Sequence, residues 1–115
     1  MNSYRTENYI KDKVIVITGA SSGFGKETAK KAAELGGKVV LAARREELLR
    51  EITQEIRESG GEASYIKTDV RVKDQVNAMA KFAVDTYGRM DVLVNDAGTM
   101  TLAYYSQHAI AREAW

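Results

Sequence analysis

An unbroken apolar run, Val14-Ile15-Val16-Ile17, empties into Thr18-Gly19-Ala20-Ser21-Ser22-Gly23-Phe24-Gly25 and then directly into a helical pattern over 26–35. Few folds accept that order. A strand without polar alternation suits a sheet covered on both faces, and a strand that leaves through a glycine-rich turn into a helix opens a crossover unit. Gly19 supplies backbone conformations that side chains disfavour and so makes the tight turn. Gly23 leaves room for an anion beside the main chain, and Gly25 lets the helix lie close to the strand. The first amides of the helix have no intrahelical acceptor and sit at the positive end of its dipole, so the turn is a candidate phosphate cradle. The spacing is Gly-x-x-x-Gly-x-Gly, and on its own it fits a plain chain reversal as well as a phosphate site.

The pattern repeats along the chain. Strand candidates begin near 14, 39, 63 and 91, and the helical stretches between them close on Gly36-Gly37, Gly60-Gly61 and Gly88, where a left-handed cap is wanted. The stretch 46–59 places Leu48, Leu49, Ile52 and Ile56 on one face and turns Glu51, Glu55 and Glu58 to water. The stretch 73–87 lines up Val76, Met79, Ala80, Ala83 and Tyr87. The order is βαβαβαβ. This predicts an α/β fold, a doubly wound parallel sheet of strand order 3-2-1-4 with right-handed crossovers, truncated so that the fourth strand is left as an uncovered edge. Residues 1–12 read as a polar leader, 13–98 as the βαβαβαβ unit, and 99–115 as the start of a further helical segment with Ile110 and Trp115 in its core.

Composition excludes more than it selects. The 115 residues carry a formal net charge of +1 with both signs interspersed, which gives no nucleic-acid or membrane footprint. Cysteine is absent, so neither a disulfide nor a thiolate metal site is available, and no cluster of metal ligands is expected. The leader, polar and of mixed charge, is neither a secretory signal nor an anchor, which makes the cytoplasm the expected location.

Three further positions carry candidate chemistry. About 20 residues past the glycines, where a carboxylate would hold a ribose 2′-hydroxyl, the chain has Ala43-Arg44-Arg45. Two guanidinium forks suit a phosphate; the competing reading is a pair of solvated charges opening a surface helix against Glu46 and Glu47. At the end of the third strand Asp69 suits an adenine amine, or equally a cap on the following helix. At the end of the fourth, Asn95-Asp96-Ala97-Gly98 would face Thr18-Gly19 across the point where strand order reverses. Ala97 and Gly98 leave room for a ribose, and Asn95 is either a bridge to neighbouring strands or a turn residue.

Taken in order and spacing, 18–25, 43–45, Asp69-Val70 and Asp91-Val92-Leu93-Val94-Asn95-Asp96-Ala97-Gly98 resemble the short-chain dehydrogenase/reductase family over about 13–98. The resemblance implies a Rossmann fold binding a nicotinamide dinucleotide, with Gly19, Ser21, Ser22, Gly23, Phe24 and Gly25 around the pyrophosphate and adenosine. It puts Arg44 and Arg45 at a 2′-phosphate, hence NADP(H) in preference to NAD(H). Asp69 and Val70 fall at the adenine, and Asn95, Ala97 and Gly98 along the riboses. Asp96 departs from the family's second asparagine. The family is an oxidoreductase family moving hydride between cofactor and carbonyl or alcohol, using a serine and a Tyr-x-x-x-Lys pair that the resemblance puts beyond residue 115. No catalytic residue is therefore expected here, and a small substrate and homo-oligomeric assembly are expected only of a full-length form. Tyr9 and Lys13 match Tyr-x-x-x-Lys formally but precede the first strand, at the wrong end of the sheet. The lone His108 reads as a surface or packing residue rather than a catalyst. The alternative to an oxidoreductase portion is a non-enzymatic module that holds nucleotide or assembles through its uncovered edge.

Overall fold

The structure is a computed structural model that describes residues 10–96 and 100–104. Strand β1, Val14–Thr18, is buried at all five positions, as an apolar run with no solvent face requires. It pairs in parallel with β2, Lys38–Ala43, on one side and β4, Val92–Asp96, on the other. Beyond β2 lies β3, Glu62–Lys67, also parallel. The chain thus winds β1 to β2 to β3, then returns across β1 to place β4, which is the expected 3-2-1-4 order with its reversal between β1 and β4.

Alternation along the strands divides the core in two. Ile15, Ile17, Val39 and Leu41 join Ala29, Ala33, Leu49, Ile52 and Ile56 on the face covered by α1, Gly23–Glu34, and α2, Glu46–Glu58. Val14, Val16, Val40 and Leu93 turn the other way and join Val76, Met79, Ala80 and Ala83 of α3, Lys73–Tyr87. Helices on both faces of a parallel sheet make the fold doubly wound. The expected caps are present, with φ of +91° at Gly36 and Gly60 and +84° at Gly88. Helix α1 begins three residues before the expected 26, because the Ser22 hydroxyl accepts the Gly25 amide at 3.1 Å and fixes the N-terminus there.

Two expectations need correction. Met100–Tyr104 forms a fifth strand, β5, antiparallel to β4, with Asn95 opposite Thr101. The fourth strand is therefore not an uncovered edge, and the described part of 99–115 is extended rather than helical. A paired outer edge satisfies backbone groups that would otherwise face water. The second correction is Leu48, expected in the core: it is only half-buried and stands at the rim of the cavity described next.

Candidate nucleotide site

The carboxyl ends of β1, β2 and β3 surround a cavity of about 630 Å³. Its lining begins at Gly19, whose φ of +67° turns the chain out of β1, and continues through Ser21 and Ser22. The Ser22 amide donates to the Gly19 carbonyl at 3.0 Å, closing the turn, while the Ser22 side chain serves as the helix cap. Gly25 has a different role from the one its position suggests. A Cβ there would meet the Gly19 carbonyl oxygen at 2.6 Å and the Ala20 Cα at 2.8 Å, so this glycine closes α1 onto the turn rather than onto the strand. A Cβ on Gly23 would meet nothing within 4 Å, which leaves the open approach an anion needs. Phe24 is 55% exposed. Gly23, Phe24 and Gly25 flank the cavity without lining it.

β2 delivers the opposite wall. Ala43 is its last residue, and Arg44 and Arg45 follow, both exposed and both lining the cavity. Arg45 occupies the N-cap position of α2 but makes no side-chain cap bond. Among the described residues neither guanidinium forms an ion pair, so the sequence-level pairing with Glu46 and Glu47 does not occur. Both sit beside the start of a helix, where the dipole and the free amides favour an anion.

β3 delivers Thr68, Asp69 and Val70. Thr68 is buried, and its amide is held by the Ala43 carbonyl at 2.7 Å, which ties the ends of β2 and β3 together. Asp69 does not cap α3, whose N-cap is Val72. Its carboxylate is instead gripped by Arg71, whose amide and Nε donate to Oδ1 at 3.0 Å each and whose Nη2 donates to Oδ2 at 2.9 Å. The Asp69 amide donates to Oε1 of Gln75 at 2.8 Å. Bonds from the Arg71 side chain and amide hold the Asp69 carboxyl down at about 2, with Arg44 adding a smaller pull. Arg71 was not legible as a site residue, because a pair two residues apart forms only where the backbone turns.

On the far side of β1, Asn95 lies in register with Thr18. Its Oδ1 accepts from the buried Thr18 hydroxyl at 2.9 Å, so Asn95 bridges two strands through a side chain and is not a plain turn residue. Ala97 and Gly98 lie outside the described residues, as do Tyr9 and His108. Lys13 stands just before β1, at the end of the sheet away from the cavity. No metal-ligating cluster occurs among the described residues, and none of their helices is long and apolar enough to cross a membrane.

Known proteins match this chain in sequence and in fold. Among relatives, the chain is 52% identical over 95 residues to the uncharacterized oxidoreductase YxnA of Bacillus subtilis, covering 83% of this chain and 27% of that protein. A metagenomic short-chain oxidoreductase solved in complex with NADP superposes with a TM-score of 0.73 at 43% identity, covering 78% of this chain and 41% of that one. A short-chain dehydrogenase/reductase from Burkholderia phymatum, solved in complex with NAD, gives 0.71 at 42% identity, covering 73% and 30%. The chain thus spans well under half the length of the relatives it matches. Residues 13–115 match the family described as short chain dehydrogenase. With the Rossmann-like sheet and the glycine turn already in place, that match carries the conclusion that the chain belongs to the short-chain dehydrogenase family of oxidoreductases.

Proposed function

We propose that the cavity binds the adenosine end of a nicotinamide dinucleotide, NADP(H) in preference to NAD(H), for hydride transfer between the cofactor and a small carbonyl or alcohol substrate. In this reading the pyrophosphate lies against the turn from Gly19 to Gly25, the 2′-phosphate between Arg44 and Arg45, the adenine beside Asp69 and Val70, and the riboses along Asn95, Ala97 and Gly98. The observation that carries it is the pair of guanidiniums at the end of β2, without ion-pair partners among the described residues and following Ala43 rather than a carboxylate. A carboxylate there would repel the 2′-phosphate; two forks beside a helix N-terminus attract it. Among the structural relatives are complexes with NADP and with NAD, so it is the local residues that argue for the phosphate.

Proton transfer to or from the substrate oxygen is then the task of residues outside this stretch, and the 115 residues alone are expected to bind cofactor without turning it over. Calorimetric titration with NADPH and NADH tests the reading. One charge-assisted hydrogen bond is worth about 1.5–3 kcal/mol, so NADPH should bind at least about tenfold tighter and Arg44→Ala should remove most of that margin. Equal affinities, or an Arg44→Ala protein that keeps the margin, would overturn the preference. Ketone-dependent NADPH consumption by the isolated chain would overturn the division of labour.

A further inference from the structure

Asp69 is the one carboxylate among the described residues lining the cavity, and a single neighbour occupies both of its oxygens. An ionised carboxylate offers about four lone-pair positions. On Oδ1 two are taken, by the amide and the Nε of Arg71; on Oδ2 one is taken, by Nη2. One position on Oδ2 is left. The main chain of Asp69 is anchored as well, through its amide to Gln75, and the Gln75 amide in turn donates to the Val72 carbonyl at 3.0 Å. Bonds at the main chain and at both oxygens set the orientation of the carboxylate in the structure.

The ion pair is a weak device for stability. The Arg71 side chain is 72% exposed, and exposed pairs contribute little because water competes for both partners. Its value lies in the orientation it imposes on a residue that lines the cavity, with Arg71 and Val70 lining it alongside. We propose that Arg71 is a positioning residue for purine recognition: its guanidinium fixes the Asp69 carboxylate so that the last acceptor position on Oδ2 takes the exocyclic amine of an adenine. This rests on the reading of the cavity as a dinucleotide site. It gives the site a means of preferring adenine to a purine with a carbonyl at the same carbon, since a carbonyl oxygen facing that carboxylate has no proton to offer.

The test compares NADPH with its hypoxanthine counterpart, in which a carbonyl replaces the amine and the adjacent N1 gains a proton, so that the group at C6 changes from donor to acceptor. The native protein should prefer NADPH by about tenfold, the worth of one hydrogen bond to a charged group. Arg71→Ala keeps the backbone bond from residue 71 to Oδ1 and loses the fork. Its preference should collapse to within about twofold while its affinity for the hypoxanthine form stays close to native. Arg71→Lys, which offers a point charge without the fork, should fall between, and it carries the same test if the alanine variant does not fold. Unchanged discrimination in the variants overturns the proposal. So does an equal loss for both nucleotides, which would mean that Arg71 contacts a phosphate directly. Failure of the native protein to bind either nucleotide overturns the dinucleotide reading itself and this inference with it, whereas the first two outcomes leave that reading standing.

Discussion

At the carboxyl ends of the strands a cavity of about 630 Å³ lies among Arg44, Arg45 and Arg71; at the opposite end a hollow of about 500 Å³ lies where α1 and α2 finish, its lining including one cation, Lys30, and one carboxylate, Glu34, with Ala33, Gly36, Ile56 and Gly60. Their sizes are similar, so volume does not tell them apart. Field does. The first cavity opens beside the starts of α1 and α2, where unsatisfied amides and aligned dipoles favour negative charge, and the second faces their ends, where the last carbonyls repel it. Glycine is used at both ends for different physical reasons. Gly36 and Gly60 take positive φ to end helices, whereas the turn from Gly19 to Gly25 uses positive φ, an open approach and a backbone contact too close for a side chain, all within seven residues.

The sharpest way to break the contrast is to strain one glycine at each end. Gly19→Val puts a branched side chain at φ +67° beside the proposed phosphate position. It should cost about 1–3 kcal/mol in chemical denaturation and abolish measurable dinucleotide binding. Gly60→Ala, at φ +91° with nothing within 4 Å of the new methyl, should cost about 1–2 kcal/mol and leave the affinity unchanged. A Gly19→Val protein that binds normally would reduce the glycine-rich turn to a chain reversal.

A second, smaller effect belongs to the opposite end alone. Asp91, 5% exposed, accepts the Val14 amide at 2.9 Å and a forked pair from Arg89 at 3.0 and 2.6 Å, clipping the start of β4 to the start of β1. Asp91→Ala strands the Val14 amide, at an expected cost of about 1–3 kcal/mol, while Arg89, half exposed, regains water. Nucleotide affinity, corrected for the unfolded fraction, should not move. A specific loss of affinity would mean that the two ends are coupled through β1.

The smallest effect separates the ends by pH. Asp69 has its carboxyl held at about 2, below its ordinary 3.8, chiefly by Arg71. Because the folded value is the lower one, the unfolded chain takes up the proton first. The pair's contribution is therefore complete above about pH 4 and lost as pH falls through about 2. Carboxyl NMR titration should place the native midpoint near 2 and return it towards 3.8 in Arg71→Ala. A midpoint already near the ordinary value in the native protein would show that the fork does not persist in solution.

What could be read from the sequence was whatever a local pattern fixes. The unbroken run Val14-Ile15-Val16-Ile17 needs two covered faces, and the structure divides its residues between two helix layers. The glycines that close the helical stripes take the left-handed caps expected of them. What could not be read depends on residues brought together by the fold. Asp91 meets Val14 across 77 positions of sequence. β5 exists through its register with β4, and nothing in Met100–Tyr104 itself announces an antiparallel partner. Within the site, the arginines after β2 were legible from their distance to the glycines. Arg71 was not, since its grip on Asp69 depends on the turn that brings its amide and side chain onto one carboxylate.

The central claim is that nucleotide phosphate is taken up at the carboxyl ends of β1, β2 and β3 and nowhere near the opposite end. Amide chemical-shift mapping of the protein titrated with NADPH tests it most directly. The expected result is a saturable set of shifts at Gly19, Ser21, Ser22, Gly23, Arg44, Arg45, Asp69 and Arg71, with Gly36, Ser59, Gly60 and Gly61 unmoved. Shifts centred on Gly36 and Gly60, or no saturable shifts around Gly19 and Arg44, would contradict it.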